Sequence, residues 1–189
     1  STALIEDIPN EQPLIFLSAD HLIENVNLFN NAIKKNQNKL TKNNIFIFGI
    51  KPTTPSSEFG YFLTKYIKGN YKVSKFLEKP KVAKAKKIIR KKGYWNSGMF
   101  FLRKDSIINN FKKLQPIIYR NCVNAVKKAK LKSNIYYLNK ASFIKATAKS
   151  FDYAILEKTK QINAIKLDIP WSDLGSWKEI LKMYGMNKN

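Results

Sequence analysis

Two carboxylates stand almost the full length of the chain apart, each where an apolar run gives out beside small or turn-forming residues. Asp20 ends Leu14-Ile15-Phe16-Leu17-Ser18-Ala19, and Asp173 lies within Trp171-Ser172-Asp173-Leu174-Gly175-Ser176-Trp177. Carboxylates brought together from distant points of an α/β chain suit a hard divalent cation such as Mg²⁺ or Mn²⁺. On residue type alone the competing roles are a helix cap for Asp20 and a turn for Asp173. Between them, Glu78-Lys79-Pro80 offers a carboxylate able to accept from two hydroxyls and an ammonium able to pair with phosphate. An ordinary surface Glu-Lys pair is the rival. Asn96-Ser97-Gly98 offers an amide that both donates and accepts, next to a glycine that permits close backbone approach; its rival is a plain turn before a strand. His21, the single histidine, reads as a hydrogen-bonding or structural neighbour of Asp20 rather than a general base. Trp95, Trp171 and Trp177 could line a site, but the core is the commoner place for such residues.

The elements that would position these residues follow from periodicity. Leu14 to Leu17 is continuously apolar, as for a buried strand in a covered parallel sheet. Leu22, Val26, Phe29 and Ile33 carry helical spacing over 24–36, and Asn44 to Ile50 reads as a second buried strand. Strand, helix and strand of these lengths form a βαβ unit. Lys68-Gly69-Asn70 between Tyr61–Ile67 and Tyr71–Leu77 reads as a hairpin turn. Pro80 opens a helix to about Lys92 that Gly93 stops, and Met99 to Leu102 is a further strand. Asp105 is placed to cap a helix holding Ile107, Ile108 and Phe111, and Pro116 starts another. A short helix over 152–158, a strand over 163–169 and a closing helix over 176–183 complete an α/β fold, a mixed sheet with helices on both faces.

The 189 residues suit one domain. No apolar run reaches the roughly 20 residues of a membrane span. Neither a signal peptide nor a cysteine pair is visible, which suits a cytoplasmic protein; Cys122 reads as a small core residue of a helix. The net charge of +22 raises nucleic-acid binding as an alternative. Against it, Arg90, Arg103 and Arg120 are the only arginines, whereas base readers rely on arginine's bidentate fork. Lysines strung along amphipathic helices are ordinarily solvated faces, and their field would draw in an anionic sugar phosphate or nucleotide.

Taken in order, the Asp20 block, Gly49-Ile50-Lys51-Pro52-Thr53 leading to Gly60-Tyr61, Phe76-Leu77-Glu78-Lys79-Pro80, Tyr94 to Phe100 and the Asp173 block resemble the sugar-1-phosphate nucleotidyltransferases. More narrowly they resemble the bacterial mannose-1-phosphate guanylyltransferases, a pattern that Ser150-Phe151-Asp152-Tyr153-Ala154 with Glu157-Lys158-Thr159 also matches. The resemblance runs from about Leu14 to Ile180. It implies a Rossmann-like, glycosyltransferase-A-like domain and the reaction of GTP with mannose 1-phosphate to give GDP-mannose and pyrophosphate. It further implies Asp20 and Asp173 as catalytic carboxylates holding Mg²⁺ or Mn²⁺. Gly60, Tyr61, Glu78, Lys79, Asn96, Ser97 and Gly98 become the sugar-phosphate site. Glu58 stands where many relatives carry a small residue or glycine, a departure beside that site.

The same resemblance calls for an N-terminal glycine-rich loop, an arginine and a proline-lysine pair to grip the nucleotide. Residues 1–13 match none of them. The chain therefore reads as a partial, N-terminally truncated nucleotidyltransferase domain over 1–189, with GTP a partner only once an N-terminal fragment completes it. Leu14 to Leu17 would then lack a neighbour and leave an apolar edge open to a split-gene partner or a second copy. A non-catalytic remnant, or a binding or assembly protein reusing the fold, is the alternative from another class.

Overall fold

The computed structural model describes residues 4, 8–133, 135–177 and 180–181. Among them the strands, in chain order, are β1 (Pro13–Phe16), β2 (Leu22–Ile23), β3 (Ile45–Ile50), β4 (Gly60–Ile67), β5 (Asn70–Leu77), β6 (Tyr94–Arg103), β7 (Lys130–Lys132), β8 (Ile135–Tyr137), β9 (Ile162–Leu167) and β10 (Trp171–Ser172). The helices are α1 (Val26–Gln37), α2 (Val82–Arg90), α3 (Lys104–Leu114), α4 (Pro116–Lys127) and α5 (Lys140–Phe143), with a π-helical turn at Asp152–Leu156.

The architecture grows from β3, which is buried at every position. Successive side chains of a strand face opposite ways, so β3 feeds two cores. Phe46, Phe48 and Ile50 pack with Phe29 of α1 and with Ala85 and Ile88 of α2. Ile45 and Ile47 pack with Ala154, Ile155 and Leu156 of the π-turn and with Ile107 and Phe111 of α3. Helical elements thus cover both faces of one mixed sheet, ordered β1-β6-β3-β9-β5-β4. Within it β3 and β9 run parallel, and the remaining pairs are antiparallel. The start of β4 also pairs back onto β6, with Gly60 opposite Asn96 and Tyr61 opposite Trp95. Five strands therefore close on themselves, and the β4–β6 seam brings two of the chemistry-bearing segments side by side.

Several local expectations hold. Lys68 and Gly69 both adopt positive φ (48° and 78°) between Ile67 and its partner Asn70, the two-residue turn that matches the twist of a hairpin. The N–H of Gly93 closes on Ile88 O at 3.0 Å and ends α2, whose Lys84, Lys86 and Lys87 lie exposed opposite the buried Ala85 and Ile88.

Others are corrected. β1 is an antiparallel strand, not a buried parallel one, and it is the open apolar edge that the resemblance implied: among the described residues it pairs only with β6, and Ile15, Phe16 and Leu17 are 38%, 36% and 53% exposed. An apolar run alone does not reveal whether a neighbour covers it. β1 and β3 do run parallel around α1, but β6 lies between them. The cap of α1 is Asn25, whose Oδ1 accepts from Leu28 N–H at 2.9 Å, so Asp20 is no helix cap. Asp105 lies in the first turn of α3 and takes a fork from Arg103 instead, at 3.0 Å from Nε and 2.6 Å from Nη2. Asn96, Ser97 and Gly98 lie inside β6, not in a turn before it. The expected helix over 176–183 lies partly outside the described residues.

Candidate active site

The two distant aspartates are brought into one neighbourhood by a short ladder. β2 and β10 pair antiparallel, with Leu22 opposite Ser172 and Ile23 opposite Trp171. Continuing that register places His21 across from Asp173, with Asp20 one residue further. His21 senses both charges. Burial lowers its imidazole pKa, and Asp20 and then Asp173 push the other way. Its ring meets Trp171 edge-on at 5.2 Å, and its buried Nδ1 has no hydrogen-bond partner. Asp20 has no hydrogen-bond partner among the described residues. Asp173 accepts from Gly175 N–H at 3.3 Å, the turn role expected of it, and this leaves most of its lone pairs open.

A cleft of about 890 Å³ opens beside this ladder. Asp173, Lys79, Lys51, Glu58, Trp95 and Trp171 contribute to its wall. Lys79 reaches it from a left-handed backbone conformation (φ 42°) just before Pro80. That is an unfavourable region for a residue with a Cβ, and such strain concentrates at working sites.

The β4–β6 seam supplies the rest. A Cβ on Gly60 would lie 2.5 Å from Glu78 Oε2 and 3.3 Å from Asn96 Cβ, so a residue without a side chain lets Glu78 lie across the strand. Glu78 Oε2 is buried without a partner. Burial, then Asp152, raise the Glu78 pKa to about 7; Lys79 opposes the shift and Glu157 adds to it. Asn96 is buried. Its Nδ2 donates to Asp152 Oδ1 at 2.9 Å and its Oδ1 accepts from Gly98 N–H at 3.4 Å. Gly98 adopts φ 75°, where glycine is at ease, beside a register shift between β3 and β6. That kink sets Gly98 under His21, whose Cε1 would lie 3.8 Å from an added Cβ. A continuous path thus runs from Asp173 through His21, Gly98, Asn96 and Gly60 to Glu78, with Lys79 next in the chain and back in the cleft.

Two expected residues turn away. Tyr61 is fully buried, and its hydroxyl accepts from Ser56 N–H (2.9 Å) and donates to Ser56 O (3.0 Å). It braces the loop over 51–59 rather than offering a side chain to a sugar. Ser97, 2% exposed, uses its Oγ to accept from Met99 N–H at 3.3 Å within the kink of β6. Alternation along a strand explains both, since their neighbours Gly60 and Asn96 face the site. Asp152 and Glu157, absent from the expected site, do reach it. Burial raises the Asp152 pKa, and its hydrogen bonds oppose that shift. Their place in a sequence block shared with the resembling enzymes was the available signal. Trp95 and Trp171 line the cleft, each with a buried, unpartnered indole N–H, whereas Trp177 is exposed. Of the five buried side-chain atoms lacking a partner among the described residues, four belong to His21, Glu78, Trp95 and Trp171. Buried polar groups are ordinarily satisfied, so their gathering here singles this region out as the candidate site.

A mixed sheet with helical elements on both faces and a polar cleft lined by Asp173, Lys51 and Lys79 define the class: an α/β protein of mixed-sheet type. Residues 1–186 match the nucleotidyl transferase family, and the chain belongs to it. It is similar to the mannose-1-phosphate guanylyltransferase RfbM of Salmonella typhimurium, 33% identical over 180 residues, covering 93% of this chain and 38% of that protein. It is also similar to the xanthan biosynthesis protein XanB of Xanthomonas campestris pv. campestris, 34% identical over 169 residues, 89% of this chain and 36% of that one. Among solved structures, a mannose-6-phosphate isomerase from Helicobacter pylori superposes with a TM-score of 0.81 at 30% identity, covering 90% of this chain and 68% of that one. The chain spans less than two-fifths of the length of these two curated relatives.

Proposed function

We propose that this chain carries the sugar-phosphate and metal part of a mannose-1-phosphate guanylyltransferase, acting in the cytoplasm to supply GDP-mannose for polysaccharide synthesis. The observation that carries the proposal is the gathering of Asp20 and Asp173 beside His21, with Asp173 and Lys79 lining one cleft and Lys79 following the unpartnered Glu78 in the chain. Two carboxylates with open lone pairs fit Mg²⁺ or Mn²⁺, which takes a few carboxylate oxygens and completes its shell from substrate phosphate and water. When bound, the cation supplies charge neutralisation for phosphates that must approach each other.

The chain's own groups do the positioning. Lys79 pairs with the phosphate of mannose 1-phosphate. Glu78, once ionised, accepts from two sugar hydroxyls, and Asn96 offers its remaining N–H and lone pair to another. Gly98 lets the ring lie against the backbone. The phosphate nucleophile is already ionised, so orientation rather than proton transfer is what the site must provide. GTP binding belongs, on this proposal, to the glycine-rich segment that the resemblance calls for. The exposed β1 edge with Ile15, Phe16 and Leu17 is where that segment would join the sheet, from the same polypeptide or a separate one. The expected experiment follows: the 189-residue chain forms negligible GDP-mannose, and adding the glycine-rich segment restores turnover. Robust turnover by this chain alone, or none after complementation, contradicts the proposal.

Gly60→Ala is a sharper local test. The added Cβ would chiefly displace the flexible end of Glu78 and press lightly on Asn96 Cβ, so the thermal midpoint should move little. Affinity for mannose 1-phosphate should drop about tenfold, the cost of one charged hydrogen bond. Calorimetry that finds unchanged affinity would remove Glu78 from the site.

A further inference from the structure

Between them, Asp152 and Glu157 end the backbone hydrogen bond that defines a π-turn, the N–H of Glu157 to Asp152 O at 2.9 Å. The turn is firmly seated. Ala154, Ile155 and Leu156 are buried against Ile47, Phe62 and Leu102, and Gln115 Nε2 donates to Ala154 O at 2.8 Å. Both terminal carboxylates leave this platform toward the same place. Asp152 Oδ1 takes the amide N–H of Asn96 at 2.9 Å, and Glu157 Oε1 takes the main-chain N–H of Glu78 at 3.4 Å. In an α-turn the bonded pair would be four residues apart and would put Leu156 where Glu157 stands. The extra residue is what gives both ends a carboxylate, and π-turns of this kind gather at functional sites.

We propose that the π-turn is a positioning element for the sugar site, with Asp152 fixing which way the Asn96 amide faces and Glu157 holding the main chain of Glu78. The inference rests on the sugar-phosphate function proposed above. An ionised carboxylate only accepts, so Asp152 admits the Nδ2 side of Asn96 and no other. Asn96 Oδ1 then faces Gly98, with one lone pair left for a sugar hydroxyl. On this proposal a sugar hydroxyl presented to that lone pair binds better than its epimer, so epimeric hexose 1-phosphates such as the mannose and glucose compounds are told apart. Neither Asp152 nor Glu157 touches the sugar in this arrangement; each acts through the residue it holds.

The test uses the isotope-labelled chain with wild type, Asp152→Ala and the isosteric Asp152→Asn, titrated with mannose 1-phosphate and with glucose 1-phosphate in the presence of Mg²⁺. Without ligand, the Asn96 side-chain amide signals should move in Asp152→Ala. Affinity for mannose 1-phosphate should fall at least about tenfold, and preference over the glucose compound should largely vanish. Asp152→Asn retains an acceptor and the shape, and should recover most of the affinity but less of the preference. Should Asp152→Ala not fold, Asp152→Asn with Glu157→Gln gives the same readout of preference. Unchanged affinity and preference in folded variants overturn the positioning role while leaving the function standing. A wild-type chain that binds neither sugar phosphate overturns both.

Discussion

Asp173→Asn is expected to weaken Mn²⁺ binding by about a hundredfold, since even residues that merely support metal ligands are worth ten- to a hundredfold. The fold should be spared. Asp173 lies just past a two-residue strand, and the hydrogen bond it accepts from Gly175 N–H is of a kind that asparagine also accepts. His21 provides the readout, because it is the only histidine and lies beside both carboxylates. In the wild-type chain, small amounts of Mn²⁺ should broaden the His21 ring signals before all others. In Asp173→Asn, and equally in Asp20→Asn, that broadening should require far more metal. If Asp20 were only a chain-turning residue, Asp20→Asn would leave the titration unchanged. In the completed enzyme the same substitutions should reduce turnover by about a thousandfold, the upper range for removing a group that stabilises developing charge.

Glu78→Gln should produce two opposite effects at pH 8. Affinity for mannose 1-phosphate should fall about 10- to 100-fold, the loss of charge-assisted hydrogen bonds. The free protein should become more stable. The sign follows from the raised pKa. Glu78 titrates near 7 when folded but near 4.5 when unfolded, so between those values the folded chain holds the extra proton. Stability therefore declines as pH rises through that window, and the penalty is complete above it. Because Glu78 is only half-buried, solvent screening cuts the penalty to about 1–2 kcal/mol. Glutamine removes it at pH 8 and changes little near pH 4.5. Sugar-phosphate affinity of the wild type should rise with pH up to about 7 and then level, with proton release on binding below that point. Denaturation and calorimetry at pH 5 and pH 8 check both halves. A variant that is less stable at pH 8, or an affinity independent of pH, contradicts the placement of Glu78.

How much of this was legible in the residues depended on how local the cause was. The β3 run Ile45–Ile50 and the Lys68-Gly69 hairpin were legible because burial on both faces and positive φ each leave a compositional mark. The exposure of β1 was not legible from its apolar run, which looks the same whether or not a neighbour covers it; only the resemblance, by calling for a segment before it, pointed to an open edge. Asp105 was assigned as a cap from its position, but a guanidinium two residues earlier holds its carboxylate more tightly than a lone backbone N–H would. At the site, Gly60, Glu78, Lys79, Asn96 and Gly98 were named by resemblance, and the β4–β6 seam holds Gly60 and Asn96 beside Glu78. Tyr61 and Ser97 belonged to the same blocks, yet strand alternation turns their side chains inward. Asp152 and Glu157 matter through a π-turn, and five-residue spacing has no sequence signature that separates it from an ordinary helix.

The most direct test of the central claim is a titration of the labelled chain with mannose 1-phosphate, with and without Mg²⁺, followed residue by residue. Saturable changes should cluster at Glu78, Lys79, Asn96, Gly98, His21 and Asp173, and chelating the metal should weaken them. No saturable change up to about 10 mM, far weaker than a metabolic enzyme's working range, would contradict it. So would changes confined to the lysines of α2 and abolished by modest salt, the pattern of a polyanion on a charged surface.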